Sequence, residues 1–183
     1  MEKPARRFAP GEALLLALLV AQLALYVFMW LRFQHDQAFY GSDFISFYTA
    51  GRIARDGDFH ALYDLDTQRR VQADVLGEDT FPGGANLSQH PPYLALLLAG
   101  LAVDDFVQSY VRWTLVRLPV LAACGWMVYR FFRRSGWDSR PALWNALAAM
   151  AFFPVFLGLL GGQDAVWLLA ALLLWGNGLA FRR

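Results

Sequence analysis

Long apolar runs, separated by one acidic stretch, organise this chain. A bilayer core takes about 20 apolar residues of helix. Four segments meet or approach that length: Ala13 to Leu31, interrupted by Gln22; Trp113 to Tyr129, with Arg117 near its start; Pro141 to Gly162, holding Asn145 and Pro154; and Ala165 to Phe181, with Asn177 late in it. Each reads as a transmembrane helix. Trp30, Trp113, Trp126, Trp144 and Trp175 fall near the ends of these runs, where interfacial aromatics are common. A fifth run, Pro91 to Val103, is about half the length of a span. It opens on two prolines and ends at Asp104-Asp105. It reads as a juxtamembrane or re-entrant helix that does not cross.

Composition fits that picture. Hydrophobic residues make up 57% of the chain and charged residues 17%, with a mean hydropathy of +0.34. An ordinary soluble domain is less apolar. The expected fold class is all-α: a single polytopic membrane domain over residues 1–183. A net charge of +1 gives no global attraction to nucleic acid, so the lipid bilayer is the expected partner and nucleic acid is not. Cys124 is the one cysteine, which excludes an intrachain disulfide. The N-terminal run is too long for a signal-peptide core and lacks a small-residue cleavage site, so it reads as an uncleaved span.

Basic residues orient the spans. With four crossings, Lys3, Arg6 and Arg7, then Arg130, Arg133, Arg134 and Arg140, then Arg182 and Arg183, all lie on one side. The positive-inside rule makes that side cytoplasmic. Counting Pro91 to Val103 as a crossing would put the Arg130 cluster outside. Arg32 is an exception that can snorkel to the outer interface. The expected location is therefore a plasma (inner) membrane, with the long loop from Gln34 to Phe106 outside the cytoplasm. That loop carries eleven Asp or Glu and four Arg.

Three short helices are expected within the loop. Phe44, Phe47, Tyr48 and Gly51 recur at i, i+3, i+4 and i+7, one face of a helix over about 44–56 that ends at Gly57. A second helix is expected over about 65–76. Gly77 to Gln89, with Phe81-Pro82-Gly83-Gly84, reads as loop. The third covers about 91–103, where proline in the first turn costs no hydrogen bond.

Candidate chemistry concentrates near the outer interface. Asp43 is placed either to act as a general base toward a hydroxyl or to cap the helix beginning at Phe44. His90 can donate to a phosphate oxygen, or it is a packing residue. Arg52 and Arg55 offer the forks that match phosphate oxygens, or a solvated helix face. Arg117 lies within an apolar run, where a charge is costly and suggests function; its alternative is snorkelling to headgroups. Gly161-Gly162-Gln163-Asp164 reads as a tight turn with Asp164 capping the next helix, or as Gln163 and Asp164 lining one cavity with Asp43. Asp64-Leu65-Asp66 has the spacing of a metal pair but reads as a helix start. There is no glycine-rich nucleotide cradle, metal cluster or serine nucleophile elbow, so no cofactor or metal is expected.

Taken in order, Asp43-Phe44 with Phe47-Tyr48 and Ala50-Gly51-Arg52, then Leu62-Tyr63-Asp64, Gln72, Pro91-Pro92 before Leu94-Ala95-Leu96-Leu97-Leu98, and finally Gly162-Gln163 resemble the opening third to half of glycosyltransferase family 87. These are bacterial GT-C membrane enzymes that include polyprenyl-phosphate-mannose-dependent alpha-mannosyltransferases. His90-Pro91-Pro92 is also similar to the corresponding point of protein O-mannosyltransferases, and Arg117-Leu118-Pro119 to the start of a span in lipid-linked aminoarabinose transferases. The resemblance implies a GT-C-like N-terminal module with Asp43 as the base. It implies a polyprenyl-phosphate sugar donor and a glycan or glycolipid acceptor. His90, Arg52, Arg117, Tyr48, Gln163 and Asp164 would bind substrate. Family members usually carry ten or more spans, and many have an aromatic residue where this chain has His90. A truncated product, a non-catalytic remnant or accessory protein, or a partner chain supplying further helices is thus an alternative expectation. A small transporter would place ionisable residues mid-span, and the spans offer Arg117 alone, near one end.

Overall fold

A computed structural model describes residues 10–36, 38–77 and 86–180, without the side chains of Phe39 and Gly41. Among these residues all regular structure is helical. Helix α1 runs Pro10–His35, α2 Phe44–Arg55, α3 Leu65–Leu76, α4 Pro92–Ala99, α5 Phe106–Arg134, α6 Ser139–Met150, α7 Phe153–Leu160 and α8 Ala165–Ala180.

Two of them, α1 with 26 residues and α5 with 29, are long and apolar enough to cross a membrane. Leu14, Leu18, Leu23, Leu31 and Phe28 of α1 stand more than half exposed, an arrangement that suits lipid and not water. The apolar run Pro141 to Gly162 is not one continuous helix. It breaks into α6 and α7 with a bend of 45°, and Pro154 sits in the first turn of α7. Proline has no N–H and its ring clashes with the carbonyl four residues back, so an incoming helix stops ahead of it. Counted as one bent span, the pair brings the helices long and apolar enough to cross to three. Helix α8, at 16 residues, is about 24 Å long and shorter than the other two.

The break explains Gln22. Its amide nitrogen donates to the carbonyl of Ala151 at 2.7 Å, and the Tyr26 hydroxyl donates to the same oxygen at 2.6 Å. A carbonyl freed by the bend would otherwise lack a donor in hydrocarbon, at a cost of several kcal/mol. Tyr26 also stacks on Phe156 at 4.2 Å, so α1 reads the kink with polar and apolar contacts together.

At one end of the bundle Arg140, entering α6, pairs with Glu12 of α1 at 2.9 Å. At the other end Trp30 and Phe33 of α1 pack on a buried cluster of Phe44, Phe47, Tyr48, Leu98, Phe106, Tyr110 and Trp113. The cluster ties the segment 44–106 to the bundle. Helix α4 has eight residues, about 12 Å of helix, too short to cross. It packs along α2, so closely that a Cβ on Gly51 would stand 3.0 Å from the Leu98 carbonyl oxygen.

Helix α3 holds the irregular stretch before α4. Gln68 and Gln72 are buried. Gln68 accepts from the Ser88 amide at 2.8 Å and donates to the Leu62 carbonyl. Gln72 exchanges two bonds with the backbone of Asn86. Residues 78–85 of the expected Gly77–Gln89 loop lie outside the described residues. Asp64 starts α3 as expected, its carboxylate accepting from the Thr67 amide at 2.8 Å.

Candidate functional site

The turn between α7 and α8 organises the site. Gly162 has φ +76, and a Cβ there would stand 2.5 Å from Cβ of Phe44. This position needs glycine for both conformation and space. The turn docks on the start of α2, where the Phe44 amide donates to the Gly161 carbonyl at 3.1 Å.

The backbone here leaves Asp43 without a capping bond. The amides of Phe44, Ile45 and Ser46 donate to the carbonyls of Gly161, Ser42 and Asp43. The first turn of α2 is supplied by backbone acceptors, and the Asp43 side chain makes no capping bond. The capping alternative is corrected on this ground. The carboxylate is exposed and accepts from the Gln163 amide at 2.6 Å, across 120 residues of sequence.

Two further side chains stand beside this pair. The His90 ring stacks on Phe47 with centroids 4.2 Å apart, and the His90 carbonyl accepts from the Tyr63 hydroxyl at 2.8 Å. Nδ1 of His90 lies 3.9 Å from Asp164. That is an electrostatic contact, too long for a hydrogen bond. Asp43, Gln163, Asp164 and His90 therefore gather around one turn. Neither Asp43 nor His90 is fully buried.

Arg117 lies beneath the turn, fully buried. Its guanidinium donates to the carbonyls of Gly158 at 3.0 Å, Leu159 at 3.0 Å and Gln163 at 3.2 Å, and to the Thr114 hydroxyl. The snorkelling alternative is corrected, since the side chain is fully buried; its guanidinium faces backbone carbonyls and borders a cavity between α7 and α8. The fork gives the Gln163 carbonyl a donor and adds second donors to those of Gly158 and Leu159, which also accept from the amides of Gln163 and Gly162. Trp113 donates to the Gly162 carbonyl at 2.7 Å and Tyr110 to the Leu160 carbonyl at 2.8 Å. Tyr110, Trp113 and Arg117 occupy one face of α5 at i, i+3 and i+7, so a single stripe fixes the backbone that carries Gln163. The spacing was visible in the sequence; the target carbonyls were not.

Tyr48 and Arg52 belong to a different cluster. Arg52 lies about 13 Å along the axis from Asp43 by helical rise. Tyr48 is 1% exposed, its hydroxyl shared between the Val103 and Asp104 carbonyls. This placement turns Tyr48 into the core and away from the turn that carries Gln163. Burial pushes its phenol up, against the opposing pull of Arg52. Arg52 and Arg55 both pair with Asp104, at 3.0 and 2.6 Å. The hydrogen bond from Arg55 holds the Asp104 carboxyl below its ordinary value. These arginines clamp the α4–α5 connection to α2.

Below Gln163 an apolar cavity of about 230 Å³ opens between α7 and α8, lined by Phe152, Val155, Leu159, Val166 and Leu169 among others. An exposed carboxylate held by Gln163, an imidazole near Asp164 and a cavity below form a site with a group able to accept a proton. Comparison with protein-family models, with curated proteins and with solved structures finds no match.

Proposed function

We propose that the chain is the N-terminal module of a GT-C glycosyltransferase of the family 87 type. It would move a hexose, mannose in the first instance, from a polyprenyl-phosphate donor to an acceptor hydroxyl. The observation that carries this reading is the Asp43 carboxylate. It makes no capping bond, because the Ile45 and Ser46 amides donate to the backbone carbonyls of Ser42 and Asp43; it is exposed, and it is held by Gln163. In the proposed reaction Asp43 takes the proton of the acceptor hydroxyl as its oxygen bonds to the anomeric carbon. The bond from that carbon to the phosphate oxygen breaks, and polyprenyl phosphate leaves with the electron pair. Phosphate is a good leaving group, so no general acid is required. His90 faces the leaving phosphate, Asp164 orients His90, and the first isoprene units lie in the cavity below Gln163. The topology adopted counts the α6–α7 pair and α8 as crossings, which makes four. It puts the Glu12–Arg140 end in the cytoplasm of a bacterial cell and Asp43 outside.

A non-catalytic accessory or remnant protein of the same fold is the second reading. One observation favours it: of the three cations expected near phosphate, Arg117 is buried and Arg52 is paired with Asp104, which leaves His90. The test incubates membranes holding the chain with radiolabelled polyprenyl-phosphate mannose and an acceptor extract. Transfer by wild type that disappears in Asp43→Asn supports catalysis. Asn still accepts from Gln163, so the fold is preserved. Equal inactivity of both sinks the catalytic reading for this chain and leaves the accessory one.

A further inference from the structure

A second groove lies at the other end of the molecule. It occupies about 610 Å³ between α5 and α6, with Ala122, Gly125, Trp126 and Tyr129 on one side and Ser139, Arg140, Leu143 and Met150 among those on the other. Its floor is made of small residues, since Gly125 lets Met150 approach a would-be Cβ position to 3.1 Å. Trp126 and Tyr129 stack at 5.4 Å and form one wall. Along α6 the groove runs from Ser139 to Met150, about 16 Å by helical rise, close to half of a ~30 Å hydrocarbon core. The groove is one leaflet deep.

The charges at its mouth are predominantly positive. Arg130, Arg133 and Arg134 end α5, and Arg140 begins α6. Among the described residues the acids in the same region are Glu12, which pairs with Arg140 at 2.9 Å, and Asp138. Arg133 is tied to the Trp137 carbonyl at 2.8 Å. Four guanidinium groups against two carboxylates leave a net positive mouth above an apolar slot. Basic pockets between spans recognise anionic headgroups, each Arg or Lys near the surface giving roughly a fivefold preference.

We infer that this groove binds a phospholipid with an anionic headgroup, drawn from the leaflet at the basic end. One acyl chain lies between α5 and α6, and the headgroup phosphate meets Arg140, Ser139 and the α5 arginines. A second copy of the chain or a partner helix would also fill an apolar slot. Neither would require the cations gathered at its mouth, and neither would stop at one leaflet's depth.

The test uses the full chain in phosphatidylcholine vesicles containing a tenth of brominated phosphatidylglycerol or, separately, brominated phosphatidylcholine. Bromine on the acyl chain quenches tryptophan on contact. The signal of Trp126 is isolated by subtracting a Trp126→Phe variant. The expected result is roughly tenfold greater occupancy by the anionic probe. Arg140→Gln lowers that preference about fivefold, and Glu12→Gln raises it. A merely structural Glu12–Arg140 pair would make both variants change in the same direction, which overturns the inference. Ala122→Phe, filling the slot from an exposed position, removes the quenching while helical circular dichroism is retained. Equal quenching by the two lipids overturns the proposal, as does quenching that falls with protein density because a second copy covers the slot.

Discussion

Replacing Gly162 by alanine tests whether the α7–α8 turn is locked onto α2. Two penalties combine. An L-residue at φ +76 costs roughly 1–2 kcal/mol. The new Cβ would meet Phe44 Cβ at 2.5 Å and its Cα at 3.2 Å, so the start of α2 must shift, and overpacking of this kind costs about 1–3 kcal/mol. The sum is about 2–5 kcal/mol, or a fall in Tm of about 10 °C by the scaling of globular chains of this size. Two other glycines separate the contributions. Gly57 has φ +82 and nothing within 4 Å of a would-be Cβ, so Gly57→Ala pays strain alone, about 1–2 kcal/mol. Gly161 has φ −74, and its would-be Cβ meets the Leu157 carbonyl oxygen at 3.3 Å. Gly161→Ala is expected within about 1 kcal/mol of wild type. Thermal unfolding in detergent, followed by circular dichroism, ranks the three. If Gly162→Ala loses no more than Gly57→Ala, the turn is not pressed against Phe44 and the geometry assigned to Gln163 and Asp43 fails.

Two further predictions follow from the same contacts. Arg117→Met leaves the Gln163 carbonyl without its donor, at about 1–3 kcal/mol, and removes second donors from the carbonyls of Gly158 and Leu159, which keep the amides of Gln163 and Gly162; the loss is partly offset because a buried charge is no longer desolvated. A net loss of about 1–2 kcal/mol, visible as a lower Tm, is expected; an unchanged Tm would mean that the guanidinium does not staple the turn. Asp104 is ionised in its pairing with Arg55 and Arg52, and its folded-state value is depressed. Its contribution is therefore full above the ordinary carboxylate value and is lost as pH falls through the depressed one. Solvent screening at 84% exposure keeps the effect small. Subtracting the Asp104→Asn acid-unfolding curve from that of wild type should leave a difference that shrinks below about pH 4; parallel curves down to pH 2 would remove the pairing from the account.

Much of the architecture was legible because periodicity and length carry it. The face Phe44, Phe47, Tyr48 and Gly51 predicts α2 to within a residue of Phe44–Arg55. The acids at 64 and 66 mark the start of α3. The third apolar run was misread as continuous because hydropathy does not register a backbone break; Pro154 carried that information. Helix α5 begins at Phe106, seven residues before the apolar run. Its first two turns are amphipathic, with Phe106 and Tyr110 buried while Gln108 is exposed. In the site, Asp43, His90, Gln163 and Asp164 were singled out by residue type and neighbourhood, and the structure brings them together. What residue type could not show is how each hydrogen-bonding group is used. Asp43 has the residue type of a cap, yet the amides it would serve, those of Ile45 and Ser46, go to the backbone carbonyls of Ser42 and Asp43. Arg117 has the residue type of a phosphate ligand, yet three backbone carbonyls accept from its fork. Long-range pairings of this kind depend on which turn meets which helix, and no local pattern records them.

The proposed chemistry requires Asp43 on the side of the membrane opposite the Glu12–Arg140 pair, facing away from the cytoplasm. Labelling of Asp43→Cys in a Cys124→Ala background with a membrane-impermeant maleimide tests this most directly. In intact spheroplasts the account predicts rapid modification of residue 43, with a cysteine at Ser135 modified after lysis alone. Modification of residue 43 that appears on lysis and not before would contradict it.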